Sequence, residues 1–266
     1  MSAAAVETTT RTRGRLEVSG LSKAFGGVRA VDDFAFDAQP GEIVGIIGPN
    51  GAGKTTIFNL VTGVYVPDRG KVLLDGVDLA GRPQHEIARQ GVGRTFQNIR
   101  LFKGLNVLEN VMTASDPYAP YNFFSAILSL PGKRASDRDE AQKAREYLKL
   151  VGLAGMEEAR PESLPYGLQR KLEIARALAI RPKVILLDEP AAGLNPSEVR
   201  EFIDLIRRLH ERFNFTVIFI EHRMEVVMNL SHKLFVLNFG KLLASGEPQD
   251  VRHNRAVIEA YIGEEE

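Results

Sequence analysis

Residues 42–60 read Glu42-Ile43-Val44-Gly45-Ile46-Ile47-Gly48-Pro49-Asn50-Gly51-Ala52-Gly53-Lys54-Thr55-Thr56-Ile57-Phe58-Asn59-Leu60. The run from Glu42 to Ile47 is almost continuously apolar and of strand length. This predicts a strand covered on both faces, as in a parallel sheet, rather than one face of a solvated one. Lys54 to Leu60 has helical composition. The segment between them fits Gly-x-x-x-x-Gly-Lys-Thr and sits where a phosphate-gripping loop needs to be, after a buried strand and before a helix. Gly48, Gly51 and Gly53 permit backbone conformations and close approach that side chains block, so successive amides can converge on phosphate oxygens at the positive end of the helix. Lys54 supplies charge to the outer phosphates, and Thr55 offers a hydroxyl to a Mg²⁺ ion bridging them. Gly48, Pro49, Asn50, Gly51, Ala52, Gly53, Lys54, Thr55 and Thr56 are therefore the candidate nucleotide-binding residues.

Outward from this loop, Val184-Ile185-Leu186-Leu187 and Phe215-Thr216-Val217-Ile218-Phe219-Ile220 repeat the buried-strand pattern. Between them Val199, Phe202, Ile203, Ile206 and Leu209 fall on one helical face. The economical reading is an α/β fold with a mostly parallel core sheet. Alternation over Arg15–Val18 and Val31–Phe36 predicts half-buried antiparallel strands opening the domain, an antiparallel β subdomain. Residues 98–179 read as an inserted helical subdomain, with Ala141, Ala144, Tyr147, Leu148 and Val151 spaced for one buried face. Within it, Tyr118, Tyr121, Phe123 and Phe124 cluster among the prolines of an irregular stretch from Pro117 to Pro131. That stretch reads either as a loop packed on its own subdomain or as a docking surface. Residues 1–14, rich in Ala, Thr and Arg without an apolar core, read as a disordered tail rather than a secretory signal, leaving 15–266 as one domain.

A second candidate site closes the run Val184-Ile185-Leu186-Leu187-Asp188-Glu189-Pro190, four apolar residues ending in two acids. A buried strand has no structural need for adjacent carboxylates at its tip. In an open α/β sheet the carboxyl ends of the strands line the ligand crevice. Asp188 can there reach a magnesium shell while Glu189 polarises a water for in-line attack. The bland alternative is helix capping by these acids.

The spacing of the two motifs, with the elements between them, resembles an ATP-binding-cassette ATPase over almost the whole chain, and implies a P-loop NTPase fold. The resemblance implies several roles. Phe25 in Leu21-Ser22-Lys23-Ala24-Phe25-Gly26 matches the aromatic that stacks on adenine. Gln97, closing Gly93-Arg94-Thr95-Phe96-Gln97, matches the glutamine that contacts Mg²⁺ and water. His222 matches the histidine that contacts the γ-phosphate. The family's signature, usually Leu-Ser-Gly-Gly-Gln, is represented by Leu164-Pro165-Tyr166-Gly167-Leu168, a segment that closes over ATP held by an opposite subunit. Pro165 has neither the hydroxyl nor the amide hydrogen that segment uses. Asn195, in Ala191-Ala192-Gly193-Leu194-Asn195-Pro196, stands where most cassettes carry aspartate.

These departures, with Gly93–Phe102, Ala244–Pro248 and Val257–Gly263, resemble the Liv-type importers of branched-chain amino acids; importers of urea and other amides share them. The resemblance implies two transmembrane permease subunits, a second ATPase cassette and, indirectly, a periplasmic solute-binding protein. Because Pro165 and Asn195 weaken this chain's half of the shared interface, that second cassette is expected to be related but different rather than another copy. It implies a cytoplasmic chain, peripheral on the inner face of the membrane, coupled through the Asn98–Pro131 side.

Thirty-four basic and thirty-four acidic residues cancel, so the net positive field that would favour nucleic acid or anionic lipid is absent and direct nucleic-acid binding is not expected. With no cysteine, neither a disulfide framework nor a thiolate metal site is available. The longest apolar stretch away from predicted strands, Tyr121–Leu130, is about half of the ~20 residues a spanning helix needs. A soluble cassette factor acting on ribosome or nucleic acid remains an alternative, although such proteins typically resemble tandem cassettes or carry basic extensions. A small-molecule kinase would share the loop but has no use for the signature helix.

Overall fold

The computed structural model of the chain describes residues 14–115 and 131–262. The N-terminal tail expected over 1–14, apart from Gly14, and the aromatic cluster at Tyr118, Tyr121, Phe123 and Phe124 lie outside the described residues. The chain divides into two compact units, one of residues 11–97 with 183–266 and one containing 98–182.

The first unit holds two sheets. Strands β1 (Leu16–Phe25), β2 (Val28–Ala38), β4 (Arg69–Leu74) and β5 (Val77–Asp78) form an antiparallel sheet in the order β2-β1-β4-β5. The other sheet runs β10-β9-β3-β8-β7-β6, from β3 (Ile43–Ile47), β6 (Val92–Arg94), β7 (Val184–Asp188), β8 (Thr216–Ile220), β9 (Lys233–Asn238) and β10 (Lys241–Gly246). Its pairings are parallel except for the β9–β10 hairpin. All five residues of β3, of β7 and of β8 are buried, which is why these segments read as unbroken apolar runs. One core cluster joins the sheets: Leu16, Phe34 and Phe36 of the antiparallel layer pack in it with Val44, Leu186, Ile218 and Phe235 of the parallel one. Helix α1 (Lys54–Val61) contributes Ile57, Phe58 and Leu60 to that cluster. Burying a side chain such as Phe58 completely contributes about 1.5–3 kcal/mol, which fixes the helix behind the loop it follows. A short helix α2 (Gln84–Arg89) leads into β6.

Because β3, β7 and β8 are parallel, their carboxyl ends lie along one edge. Ile46 is beside Ile220, and Asp188 is also beside Ile220. Gly48, Glu189 and His222 therefore leave neighbouring strands on the same side, and sheet direction alone assembles the crevice.

The second unit is built from α3 (Val107–Ser115), α4 (Pro131–Leu150) and α5 (Tyr166–Ala179). Val107 and Val111 of α3, Ala144, Tyr147 and Leu148 of α4, and Leu172, Ala175 and Leu178 of α5 form their buried faces, with Val151 buried just past the end of α4. Inside this unit Asn110 is fully buried because it works as a staple. Its Oδ1 accepts from Phe102 N (2.8 Å), and its Nδ2 donates to the carbonyls of Phe102 and Asn106. Glu173 accepts from Arg100 N (3.1 Å) and from Arg170, and Arg176 donates to the Arg100 carbonyl. The segment between Asn98 and Val107 is thus fastened at both ends by side chains of helices. Burial pushes the Glu173 carboxyl above its ordinary range despite the hydrogen bonds and guanidinium groups that pull the other way.

After β7 come α6 (Pro196–Phe213) and, after β8, α7 (Met224–Leu230); α8 (Pro248–Arg252) and α9 (Arg255–Ile262) follow β10. Asn195 caps α6. Its Oδ1 accepts from Ser197 N and Glu198 N, while Glu198 Oε2 accepts from Asn195 N (2.8 Å). Capping here belongs to Asn195, and the acids Asp188 and Glu189 take no part in it.

Candidate nucleotide site

The loop from Gly48 to Gly53 is shaped by two close backbone approaches. A Cβ on Gly48 would come within 2.2 Å of the Leu237 carbonyl oxygen, and one on Gly53 within 2.3 Å of the Ala30 carbonyl oxygen. Gly53 also has φ +103°, which favours glycine as the residue opening α1. The glycines at the loop's two ends are required by the protein's own packing against β9 and β2. Asn50 and Gly51 stand exposed at its tip, Pro49 and Ala52 are buried, and Ala52 O accepts from Gly240 N (2.9 Å). Lys54 is buried, with Nζ donating to the carbonyls of Gly48 (2.7 Å) and Pro49 (2.6 Å). These contacts hold the ammonium inside the curve of the loop. Thr55 is exposed and Thr56 half-buried on the first turn of α1.

Glu189 leaves β7 with φ +44°, a left-handed backbone unusual for a residue with a side chain. Its amide donates to Ile220 O (2.9 Å), which holds this conformation in place. The side chain is gripped from both flanks: Gln97 Nε2 donates to Oε2 (2.9 Å), and His222 Nε2 stands 3.2 Å from Oε1. An ionised carboxylate can only accept, so this contact puts a proton on Nε2 of His222. Two residues distant in sequence, Gln97 and His222, thus converge on the Glu189 carboxylate at the mouth of the crevice. A carboxylate so oriented can take a proton from a water molecule.

Asp188, the last residue of β7, faces inward. Its side chain is 2% exposed and forms an ion pair of 2.9 Å with Arg94, itself 7% exposed. Arg94 also donates to Asn59 Oδ1 (2.8 Å) and Thr62 Oγ1 (2.9 Å), at the C-terminal half and end of α1, and lies over the rings of Phe58 and Phe96. Nothing in the sequence pattern alone gives Arg94 this role. The available signal was a cation at the end of a short strand that begins with buried Val92. Glu221 carries the same kind of signal as Asp188, an acid directly after a run of buried strand residues, five in its case and four in that of Asp188. Tyr65 is a third residue that the structure adds to the site. Its ring meets Phe25 edge-on at 5.1 Å between centroids.

Phe25 ends β1 and is 42% exposed, with the Lys23 ammonium 5.6 Å from its ring centre. Its exposed face suits stacking by a planar ligand. In the other unit, Leu164 is buried and Pro165 is the N-cap residue of α5, with no side-chain capping bond. Tyr166 is exposed, Gly167 and Leu168 are half-buried, and Leu168 N donates to Pro165 O (2.9 Å). Arg170 reaches back to the Tyr166 hydroxyl (2.8 Å) and pairs with Glu173 at 3.0 Å.

The family described as "ABC transporter" matches residues 31–192, which carry both motifs and the signature helix. The chain belongs to the ABC transporter family. A second family, "Branched-chain amino acid ATP-binding cassette transporter", matches residues 241–266 of this ABC ATPase. It is 45% identical over 95% of its length to the high-affinity branched-chain amino acid transport ATP-binding protein BraF of Pseudomonas aeruginosa, covering 99% of that protein. With LivG of Escherichia coli K12, of the same description, it shares 44% identity over 94% of its length and 98% of the relative's. Among solved structures it resembles an ATP-binding cassette of an ABC transporter in its ADP conformation, with TM-score 0.81 and 29% identity over 94% of this chain and 99% of that one. A nucleotide-free cassette superposes with TM-score 0.82 at 28% identity, over 94% and 99% of the two chains. This member of the family therefore binds ATP and is an ATPase. No helix among its described residues is long and apolar enough to cross a membrane.

Proposed function

We propose that this ABC ATPase energises import of branched-chain amino acids, with Glu189 as the general base of hydrolysis. The observation that carries the hydrolytic reading is the Glu189 carboxylate held between Gln97 and His222. Lys54 and the amides from Gly48 to Thr56 grip the phosphates, Phe25 stacks on adenine, and His222 contacts the γ-phosphate. The donors offered to a cation are hard oxygens: the Thr55 hydroxyl, the Gln97 amide carbonyl and the Asp188 carboxylate. No cluster of three or more His, Cys, Asp or Glu among the described residues forms a cage of its own. That set fits Mg²⁺ carried in on nucleotide phosphates, and the ion would supply charge neutralisation on the β- and γ-oxygens.

Residues 15–266 act as one cassette in this reading, with 98–179 as its helical subdomain and Leu164, Pro165, Tyr166, Gly167 and Leu168 closing on ATP held by a second, related cassette. Two permease subunits at the inner face of the membrane complete the transporter, fed by a periplasmic solute-binding protein. The cargo rests on the names of the relatives and on the family matched at residues 241–266. Two experiments test the proposal. Glu189→Gln should keep nucleotide affinity and lose hydrolysis by about 100-fold or more; unchanged turnover would remove Glu189 from its role. Deleting the gene should abolish high-affinity uptake of labelled leucine, and a deletion strain with normal leucine uptake but defective urea uptake would reassign the cargo.

A further inference from the structure

Glu221 is 3% exposed and none of the roles above uses it. Its two carboxylate oxygens serve two different loops. Oε1 accepts from the amide of Ala191 (2.8 Å), two residues after Glu189. Oε2 accepts from the amides of His222 (3.0 Å) and Arg223 (3.2 Å). The carboxylate thus bridges the backbone that carries Glu189 to the backbone that carries His222, one layer behind the point where their side chains meet at 3.2 Å. The only other backbone tie described between these loops is Glu189 N to Ile220 O. Glu189 also holds a left-handed φ of +44°, a conformation that persists only where its surroundings over-determine it. A buried carboxylate accepting three amides is an arrangement that fixes positions, because each charge-assisted bond is short, directional and shielded from water.

We infer that Glu221 is a positioning residue for hydrolysis, setting the separation and orientation of Glu189 and His222 by clamping their two loops. The inference rests on the proposed roles of Glu189 and His222. Two substitutions separate the clamp from mere folding. Glu221→Gln keeps size but has one acceptor oxygen, so in either orientation its NH₂ faces a backbone N–H and one loop is released. Glu221→Asp keeps the charge on a shorter arm. It can still bond the amides that follow it in the chain, as aspartate does in tight turns, but it falls short of Ala191.

Both variants, made in the full-length chain purified with the membrane subunits that accompany it, are compared with Glu189→Gln and His222→Ala. Turnover should fall by roughly 10- to 100-fold, as a displacement of about 1 Å in a catalytic group does. Affinity for a fluorescent ATP analogue should stay within about twofold, because the phosphate loop is untouched. Added to His222→Ala, Glu221→Gln should cost much less than it does alone, since both act on one pair. Wild-type turnover in Glu221→Asp overturns the inference even if Glu221→Gln does not fold. Parallel loss of turnover and nucleotide affinity, or losses that multiply with His222→Ala, also overturn it. Retained turnover in Glu189→Gln would instead fell the reading of the site itself, and the clamp with it.

Discussion

Asp188 and Arg94 illustrate how a buried charge can organise a site. Both side chains are almost wholly withdrawn from water, at 2.9 Å from one another, and withdrawing each separately would cost several kcal/mol. Their attraction offsets much of that cost, and Asn59 and Thr62 take further guanidinium hydrogens. Arg94→Met should therefore destabilise the protein by about 3–5 kcal/mol, since it leaves the Asp188 charge without its guanidinium. The urea midpoint should fall accordingly, and by less when Asp188→Asn is already present. Equal losses in both backgrounds would show that Arg94 acts by packing alone. Asp188 and Glu189 were legible in the sequence because acids at the tip of a buried strand contradict the strand's own needs. Arg94 was not. A lone cation in Gly93-Arg94-Thr95-Phe96-Gln97 looks the same whether it faces water or a carboxylate brought in by the neighbouring strand, and only the β6–β7 register, with Arg94 beside Leu186, decides between them.

Strands and helices were legible to the extent that their environment is uniform. β3, β7 and β8 are buried on both faces and appeared as apolar runs. The antiparallel strands were found only in part, because β1 and β2 are interrupted by register shifts between Val18 and Leu21 and on to Ala24, which break the two-residue period. Across the two sheets, Asp37 of β2 bonds Lys233 of β9 at 2.9 Å. That bond, with help from Gln39, holds the Asp37 carboxyl below its ordinary value of 3.8. A carboxylate whose pKa is depressed by folding contributes stability above its unfolded pKa and loses it as pH falls through the folded one. Both side chains are about a third exposed, so solvent screening keeps the contribution below about 1 kcal/mol. Asp37→Asn should lower the urea midpoint slightly at pH 7, and the gap from wild type should close as the pH falls below about 4. A gap that widened toward acid would contradict the assignment.

At the scale of the whole assembly the sequence carries least, because the partner surfaces belong to other chains, yet one residue bears on the choice of partner. Closing two cassettes over ATP is a population shift, driven only by how much more tightly ATP binds the closed pair than the open one. In the proposed dimer each signature contributes hydrogen bonds to a phosphate held by its neighbour. A hydrogen bond to a charged group contributes about 1.5–3 kcal/mol. Pro165 has no hydroxyl to donate, and no side chain caps the helix it opens. A homodimer would forgo that contact twice, about 3–6 kcal/mol, whereas a pair with a complete partner signature forgoes it once. Glu189→Gln protein, which should bind ATP without consuming it, is accordingly expected to remain monomeric alone with ATP and Mg²⁺, and to dimerise on addition of a related cassette carrying serine at this position. Light scattering after size exclusion reads the difference. Pro165→Ser in the same background should restore the hydroxyl to both sites and shift the chain alone toward dimer. A stable ATP-dependent homodimer with Pro165 in place would refute the heteromeric pairing, because closure would then have proceeded without the contact on which the argument depends.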